Sequence, residues 1–222
     1  MTDESGLVLY DYWRSSASYR VRIALHLKGL AFEQSAVNLV QDGGQQHTDK
    51  YRALNPQGMV PALFHKGQVI TQSLAICEYL EAEFPGNPLL PSDPVHQAAA
   101  RAMALSIACD IHPLNNLRVQ QYLKGRLDIS TEDTVSWMNH WVSVGFESIE
   151  ARLQNTEKRG LCSMGDQPGL VECFLVPQVY NAERFECDLS GFPEIQRITT
   201  YCRALASFVA AAPESQADST SG

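Results

Sequence analysis

A short apolar run, LVLYDY from Leu7 to Tyr12, stands between polar residues near the start of the chain and reads as a strand. The period then lengthens. From Ser18 to Lys28, the apolar positions Val21, Ala24, Leu25 and Leu27 recur at helical spacing, and Lys28-Gly29 supplies a stop. SAVNL, Ser35 to Leu39, reads as a second strand, followed by the polar loop DGGQQ at Asp42 to Gln46. VPALFHKGQVI, Val60 to Ile70, has the pattern of a hairpin turning at Lys66-Gly67. Ser73 then caps a helix carrying Leu74, Ile76, Cys77, Leu80 and Phe84. The order β-α-β-(α)-β-β-α predicts a small mixed sheet, with a crossover helix joining the first two strands in parallel.

PGNPLLPSDP, Pro85 to Pro94, places four prolines among turn formers, so no helix or strand is expected to cross it. Beyond it the periodicity is helical throughout, with helices expected over 94–124 (bent near Pro113), 131–155, 170–185 and 193–210. The expected organisation is an α/β domain over 1–84, a linker over 85–94, an all-α domain over 95–212 and a flexible tail over 213–222, where PESQADSTSG lacks apolar anchors. No internal repeat is visible.

Composition changes the picture by exclusion. A chain of 222 residues with 45% hydrophobic and 19% charged residues suits two unequal soluble domains. Its net charge of −8, from 17 basic and 25 acidic residues, argues against a nucleic-acid partner. MTDESG shows no positive region leading into an apolar run, and the apolar stretches fall short of a membrane span, so neither a signal peptide nor membrane insertion is expected. The expected location is the cytoplasm. The six cysteines include no C-x-x-C, and the six histidines show no ligand spacing, so reduced packed thiols and no metal site are expected.

Candidate chemistry gathers where the first helix begins. In YWRSSASYRVRIAL, Tyr12 to Leu25, a serine pair meets a helix entrance flanked by arginines. Capping alone is the ordinary use of a serine there, because its oxygen accepts from otherwise unpaired N–H groups. A helix N-terminus also carries about half a positive charge, which favours a bound anion. If that anion is a thiolate, its pKa falls below the free value of about 8.5. SSAS contains no cysteine, so the thiol has to come from another molecule, with a serine hydroxyl donating to its sulfur.

A second group is NPQGMVP, Asn55 to Pro61, followed by Thr71-Gln72-Ser73. Val60 precedes proline and is biased toward an extended conformation that can pair with a peptide-like ligand. A cis Val60-Pro61 bond would aim that edge toward the Ser15 helix, and the helix opened by Gln72 and Ser73 can hold a carboxylate. A plain hairpin and helix cap is the alternative.

The chain resembles the glutathione transferases over nearly its whole length. RSSASYRVRIAL (Arg14 to Leu25), DGGQQ, NPQ, ITQSLAI (Ile70 to Ile76), CDIHPLNNLR (Cys109 to Arg118) and LVPQVYNAERF (Leu175 to Phe185) are similar to zeta-class motifs. The opening serine motif and LVPQV are specific to that class. The resemblance implies a thioredoxin-like N-terminal domain, an all-α C-terminal domain, glutathione as cofactor and a homodimer built on the helices after the linker. It also implies that Ser15 polarises the glutathione thiol with Ser16 beside it. Ser16, Gln46, Val60, Gln72, Ser73, His112 and Asn116 would hold the tripeptide, with Gln72 and Ser73 on its γ-glutamyl carboxylate.

The implied reaction is cis–trans isomerisation of maleylacetoacetate or maleylpyruvate to the fumaryl acid by reversible thiol addition. Such an enzyme must lower the thiol pKa, hold a small dicarboxylic keto acid and stabilise the enolate. Arg14, Arg118 and Arg184 fit the carboxylates, since a guanidinium pairs with them bidentately, although a lone helix arginine is often only a solvated charge. Of Arg20 and Arg22, one is expected in a structural ion pair.

The chain departs from the class twice. Ala17 stands where the motif usually has cysteine, and GLVE, Gly169 to Glu172, replaces a Thr-x-x-Asp capping box. Glu172 is expected to reach back to the Gly169 N–H, leaving a helix weaker by up to about 1 kcal/mol. The alternatives are conjugation or dehalogenation of small α-halo acids and a non-catalytic glutathione-binding protein. Thiol–disulfide exchange lacks the cysteine it needs at the helix entrance.

Overall fold

The computed structural model describes residues 6–155 and 160–221. Contacts divide the chain into two compact units, one formed by 1–90 together with 204–222 and the other by 91–203.

The first unit is built on four strands, β1 (Val8–Asp11), β2 (Glu33–Ala36), β3 (Ala62–His65) and β4 (Gln68–Thr71), in the spatial order β2-β1-β3-β4. β1 runs parallel to β2 and antiparallel to β3, and β3 pairs antiparallel with β4. The mixed sheet and parallel crossover are those expected. Helix α1 (Ser16–Leu27) makes the crossover, the short α2 (Asp49–Leu54) precedes β3, and α3 (Ser73–Glu83) follows β4. Leu7, Leu9, Val21, Ile23, Leu25, Leu63, Ile76 and Leu80 form its core, each at most 1% exposed. Burying such side chains contributes about 1.5–3 kcal/mol apiece before entropic costs.

β2 begins two residues before the apolar run SAVNL and ends inside it. Parallel pairing with β1 sets that register, matching Val8 to Glu33 and Asp11 to Ala36. As an edge strand with mostly exposed residues, β2 tolerates polar side chains, so its sequence signal is shifted.

Both arginines of α1 are buried despite their charge. The Arg22 guanidinium pairs with Asp11 at 2.8 Å and donates to the carbonyls of Trp13 at 2.9 Å and Ala211 at 3.0 Å. Arg22 is therefore the structural ion pair. Burial holds the Asp11 carboxyl above its ordinary pKa despite Arg22, and the negative charge of Asp218 adds to the shift.

The second unit is helical: α4 (Pro94–Leu105), a π-helical turn over Ser106–Ile111, α5 (Leu117–Arg126), α6 (Thr131–Gln154), α7 (Leu170–Arg184) and α8 (Pro193–Arg203). The helix expected over 94–124 is divided by the π turn and by the segment carrying Pro113. α7 is almost wholly buried and packs against α4 and α8. Its N-terminus keeps half of a capping box. Gly169 has no side chain to offer, but Glu172 accepts from the Gly169 N–H and from the Ser163 N–H, both at 2.8 Å.

Two expectations for the C-terminus are corrected. The helix expected over 193–210 breaks after Arg203, and α9 (Ala206–Ala211) packs against α1, so residues beyond 203 belong with the sheet. The tail expected to be flexible is also anchored. Gln216 is buried and donates to the Ala210 and Ala212 carbonyls, while its Oε1 accepts from Gln34 at 2.8 Å. Polar side chains do the anchoring, which a search for apolar anchors misses. Part of the proline-rich linker is tied down similarly, because Lys28 donates to the Gly86 and Asn87 carbonyls and Glu81 accepts from the Leu89 N–H. Among the described residues no helix is long and apolar enough to cross a membrane, and the six cysteines are free thiols.

Candidate glutathione site

β1 delivers the chain into the turn Tyr12–Ser15, closed by a Ser15 N–H···O=C Tyr12 hydrogen bond of 2.9 Å. Ser15 is extended, with φ −71° and ψ 118°, and its Oγ accepts from the Ser18 N–H at 3.2 Å. The capping use of this serine is therefore real. It leaves the hydroxyl proton available, since the cap consumes only an acceptor site. Ser16 is buried in the first turn, whose N–H groups have no helical partners. Arg14 is exposed, its guanidinium 4.2 Å from the centroid of the buried Trp13 ring.

The loop before α2 brings Gln46 inward. Gly44 at φ +96° and Gly58 at φ +60° both lie against this residue. A Cβ on Gly44 would lie 2.4 Å from the Gln46 amide, and one on Gly58 would lie 3.0 Å from the Gln46 carbonyl. Gln46 donates to the Leu39 carbonyl, while its own Oε1 is buried with no partner among the described residues.

Val60 stands just outside the sheet, whose pairing begins at Ala62, and the Val60-Pro61 bond is cis. The preceding Met59 carbonyl accepts from the Tyr51 hydroxyl at 2.7 Å and from the Asn55 amide at 2.8 Å. Burial pushes the Tyr51 phenol up to about 12, the Asn55 hydrogen bond opposing the shift.

Gln72 carries φ +71° and ψ 119°, a backbone strain of order 1–3 kcal/mol of the kind concentrated at binding sites. Its amide donates to Gln57 Oε1 at 3.1 Å. Ser73, buried at the start of α3, accepts from the Arg20 guanidinium at 3.2 Å. Arg20 itself is 2% exposed, so a positive charge is held in the interior behind Ser73. Sequence reading named Ser73 but missed what Arg20, Tyr51 and Asn55 do. Arg20 meets its partner across 53 residues, and Tyr51 and Asn55 meet the Met59 carbonyl within one loop whose contacts follow no apolar period.

The second unit carries the remaining predicted residues. Asn116 caps α5, its Oδ1 accepting from the Arg118 N–H at 3.1 Å, and its amide lies 3.5 Å from His112 Nε2. Arg118 is exposed in the first turn of α5. Arg184, also exposed, ends α7 with its guanidinium 5.5 Å from the Phe185 ring centroid.

Residues 14–83 match the model of the glutathione S-transferase N-terminal domain. The chain is 44% identical over 211 residues to the maleylacetoacetate isomerase of Pseudomonas aeruginosa, covering 95% of this chain and 97% of that protein. It superposes with a TM-score of 0.92 and 44% identity on a holo structure of a bacterial zeta-class maleylpyruvate isomerase, covering 95% and 99% of the two chains. A maleylacetoacetate isomerase of Methylobacterium extorquens, solved with malonate and glutathione, matches with a TM-score of 0.89 at 38% identity, covering 94% and 97%. The chain belongs to the glutathione S-transferase family, in its zeta class.

Proposed function

We propose that the chain is a glutathione-dependent isomerase that converts a maleyl-type keto acid, maleylacetoacetate or maleylpyruvate, to its fumaryl isomer. The observation that carries this reading is the mouth of α1, where Ser15 keeps a donatable hydroxyl proton beside the first-turn N–H groups and no cysteine competes. The residues fit glutathione: the Gln46 acceptor is buried and unused, Val60 lies outside the sheet ladder, and the Arg20 charge sits behind Ser73.

Bound glutathione supplies the thiol whose reversible addition to the alkene carbon frees the former double bond to rotate. Ser15 donates its hydroxyl proton toward the sulfur, and the first-turn N–H groups beside Ser16 add positive potential, so the ionised form is favoured. Ser73, backed by Arg20, and the Gln72 N–H hold the γ-glutamyl carboxylate. Val60 pairs with the peptide backbone and Gln46 accepts from it. From the second unit, His112 and Asn116 are assigned to the tripeptide. Arg118 and Arg184, with Arg14, are assigned to the carboxylates of the keto acid; a Methylobacterium relative that binds the dicarboxylate malonate as well as glutathione supports an acidic substrate. The zeta-class resemblance further leads us to infer a cytoplasmic homodimer serving aromatic amino acid catabolism.

The test follows loss of maleylpyruvate or maleylacetoacetate absorbance with and without glutathione. Turnover is expected only with glutathione, and Ser15→Ala is expected to reduce kcat about 10²- to 10³-fold, as for removal of a donor at a developing charge. Arg184→Ala is expected to raise KM for the dicarboxylic acid with little change in kcat. Halide release from an α-halo acid without isomerisation would replace this reading with displacement chemistry. Glutathione binding with no turnover would leave a binding protein.

A further inference from the structure

The C-terminal segment returns to the residues that carry Ser15. α9 packs on α1, and beyond it Asp218 Oδ2 accepts from the backbone N–H of Trp13 at 3.1 Å, across 205 residues of sequence. The other side of Trp13 is also held, because its carbonyl accepts from Arg22 at 2.9 Å. Arg22 reaches the segment a second time, through the Ala211 carbonyl at 3.0 Å. The Trp13 ring is 7% exposed, packs against Tyr12 with 6.0 Å between centroids, and lies under the Arg14 guanidinium. Trp13 is thus the pivot of the turn: Ser15 follows two residues later, and Arg14 rests on its ring.

We propose that Asp218 is a positioning residue for the isomerase reaction: by holding the Trp13 N–H it fixes the turn that aims the Ser15 hydroxyl and the Arg14 guanidinium. The proposal rests on the isomerase reading above. The Tyr12–Trp13 peptide unit has its C=O taken by the Ser15 N–H and its N–H by Asp218, while the next unit is held at the Trp13 C=O by Arg22. A unit held only at its carbonyl can swing about that contact, whereas one held at both groups has its plane set. A hydroxyl that must meet a sulfur within hydrogen-bond reach is sensitive to such a swing, since displacements near 1 Å cost orders of magnitude in rate. The local turn closes the Tyr12 carbonyl on the Ser15 N–H, and the Trp13 N–H finds its acceptor at the chain end. The charge of Asp218 is also felt by Asp11, which ties it electrostatically to the Arg22 network.

The experiment compares Asp218→Ala, Asp218→Asn and wild type as full-length chains. Asparagine retains an oxygen that accepts from the Trp13 N–H, and alanine does not. Asp218→Ala is expected to lower kcat roughly three- to tenfold and to raise the pKa of the bound glutathione thiol, read from thiolate ultraviolet absorbance, while Asp218→Asn recovers most of both. Trp13 amide hydrogen exchange is expected to quicken in the alanine variant and stay slow in the asparagine one. An unchanged kcat and thiol pKa in Asp218→Ala, whatever its thermal midpoint, would overturn the proposal, as would equal losses in the two variants. If wild type shows no glutathione-dependent isomerisation, the functional reading fails first. The exchange measurement then still decides whether Asp218 holds Trp13.

Discussion

The Met59 carbonyl accepts from two side chains at once, and the residue after it is Val60. Of those donors Tyr51 is the more informative, because its phenol is held up at about 12 by burial. A group whose folded pKa lies above its unfolded value, about 10 for tyrosine, stabilises the fold fully below that lower value. The contribution is lost as pH rises from about 10 toward 12. Tyr51→Phe is therefore expected to cost about 1 kcal/mol at neutral pH, from one lost hydrogen bond. The gap between variant and wild type should narrow at alkaline pH. Urea midpoints at neutral pH and near pH 11 check both signs; a gap independent of pH would show that the phenol titrates normally. Ser15 presents a related case, since its Oγ caps α1 whatever else it does. About 1 kcal/mol of any Ser15→Ala effect on stability belongs to the cap and has no bearing on chemistry.

Helix starts in this protein are satisfied in different ways. α6 begins at Ser130, whose Oγ accepts from the Asp133 N–H at 2.9 Å, a pattern written locally in the sequence. α8 is capped from elsewhere, with Glu150 of α6 accepting from the Glu194 and Ile195 N–H groups, both at 3.0 Å. α7 lies between these cases. Its N-cap glycine makes no side-chain bond, and the 1% exposed Glu172 serves two N–H groups instead. Glu172→Gln would keep the shape but turn an amide NH2 toward one of those donors. The expected loss is about 1–3 kcal/mol, seen as a lower urea midpoint and faster amide exchange at the start of α7. Unchanged exchange there would mean that the helix is held by its apolar packing alone.

At the scale of the chain, one contact unit is assembled from both ends of the sequence, because residues 204–222 join the sheet formed by residues 1–90. The contacts that secure this return are polar and long-range: Arg22 to the Ala211 carbonyl, Gln34 to Gln216, and the Trp13 N–H to Asp218. Charge is the other property of the whole chain. A net −8 at pH 7 leaves little basic surface for phosphates, so the protein is expected to pass through a heparin column at neutral pH and low salt. Retention released by salt would reveal a concentrated basic patch that the total conceals.

Apolar periodicity alone determined the strand and helix order of the first unit and the helical character of the second, because periods of 2 and 3.6 follow from local geometry. Motif position brought Ser15, Ser16, Val60, Gln72 and Ser73 forward as candidates, and the family resemblance added Gln46. Other features were settled only in three dimensions: the register of β2, the break after Arg203, the orphaned Gln46 oxygen, the Arg20 charge behind Ser73, and the docking of Asp218 on Trp13. Each depends on which distant groups a buried polar atom finds as partners. That choice is made when burial removes water as the alternative, and no spacing along the chain encodes it.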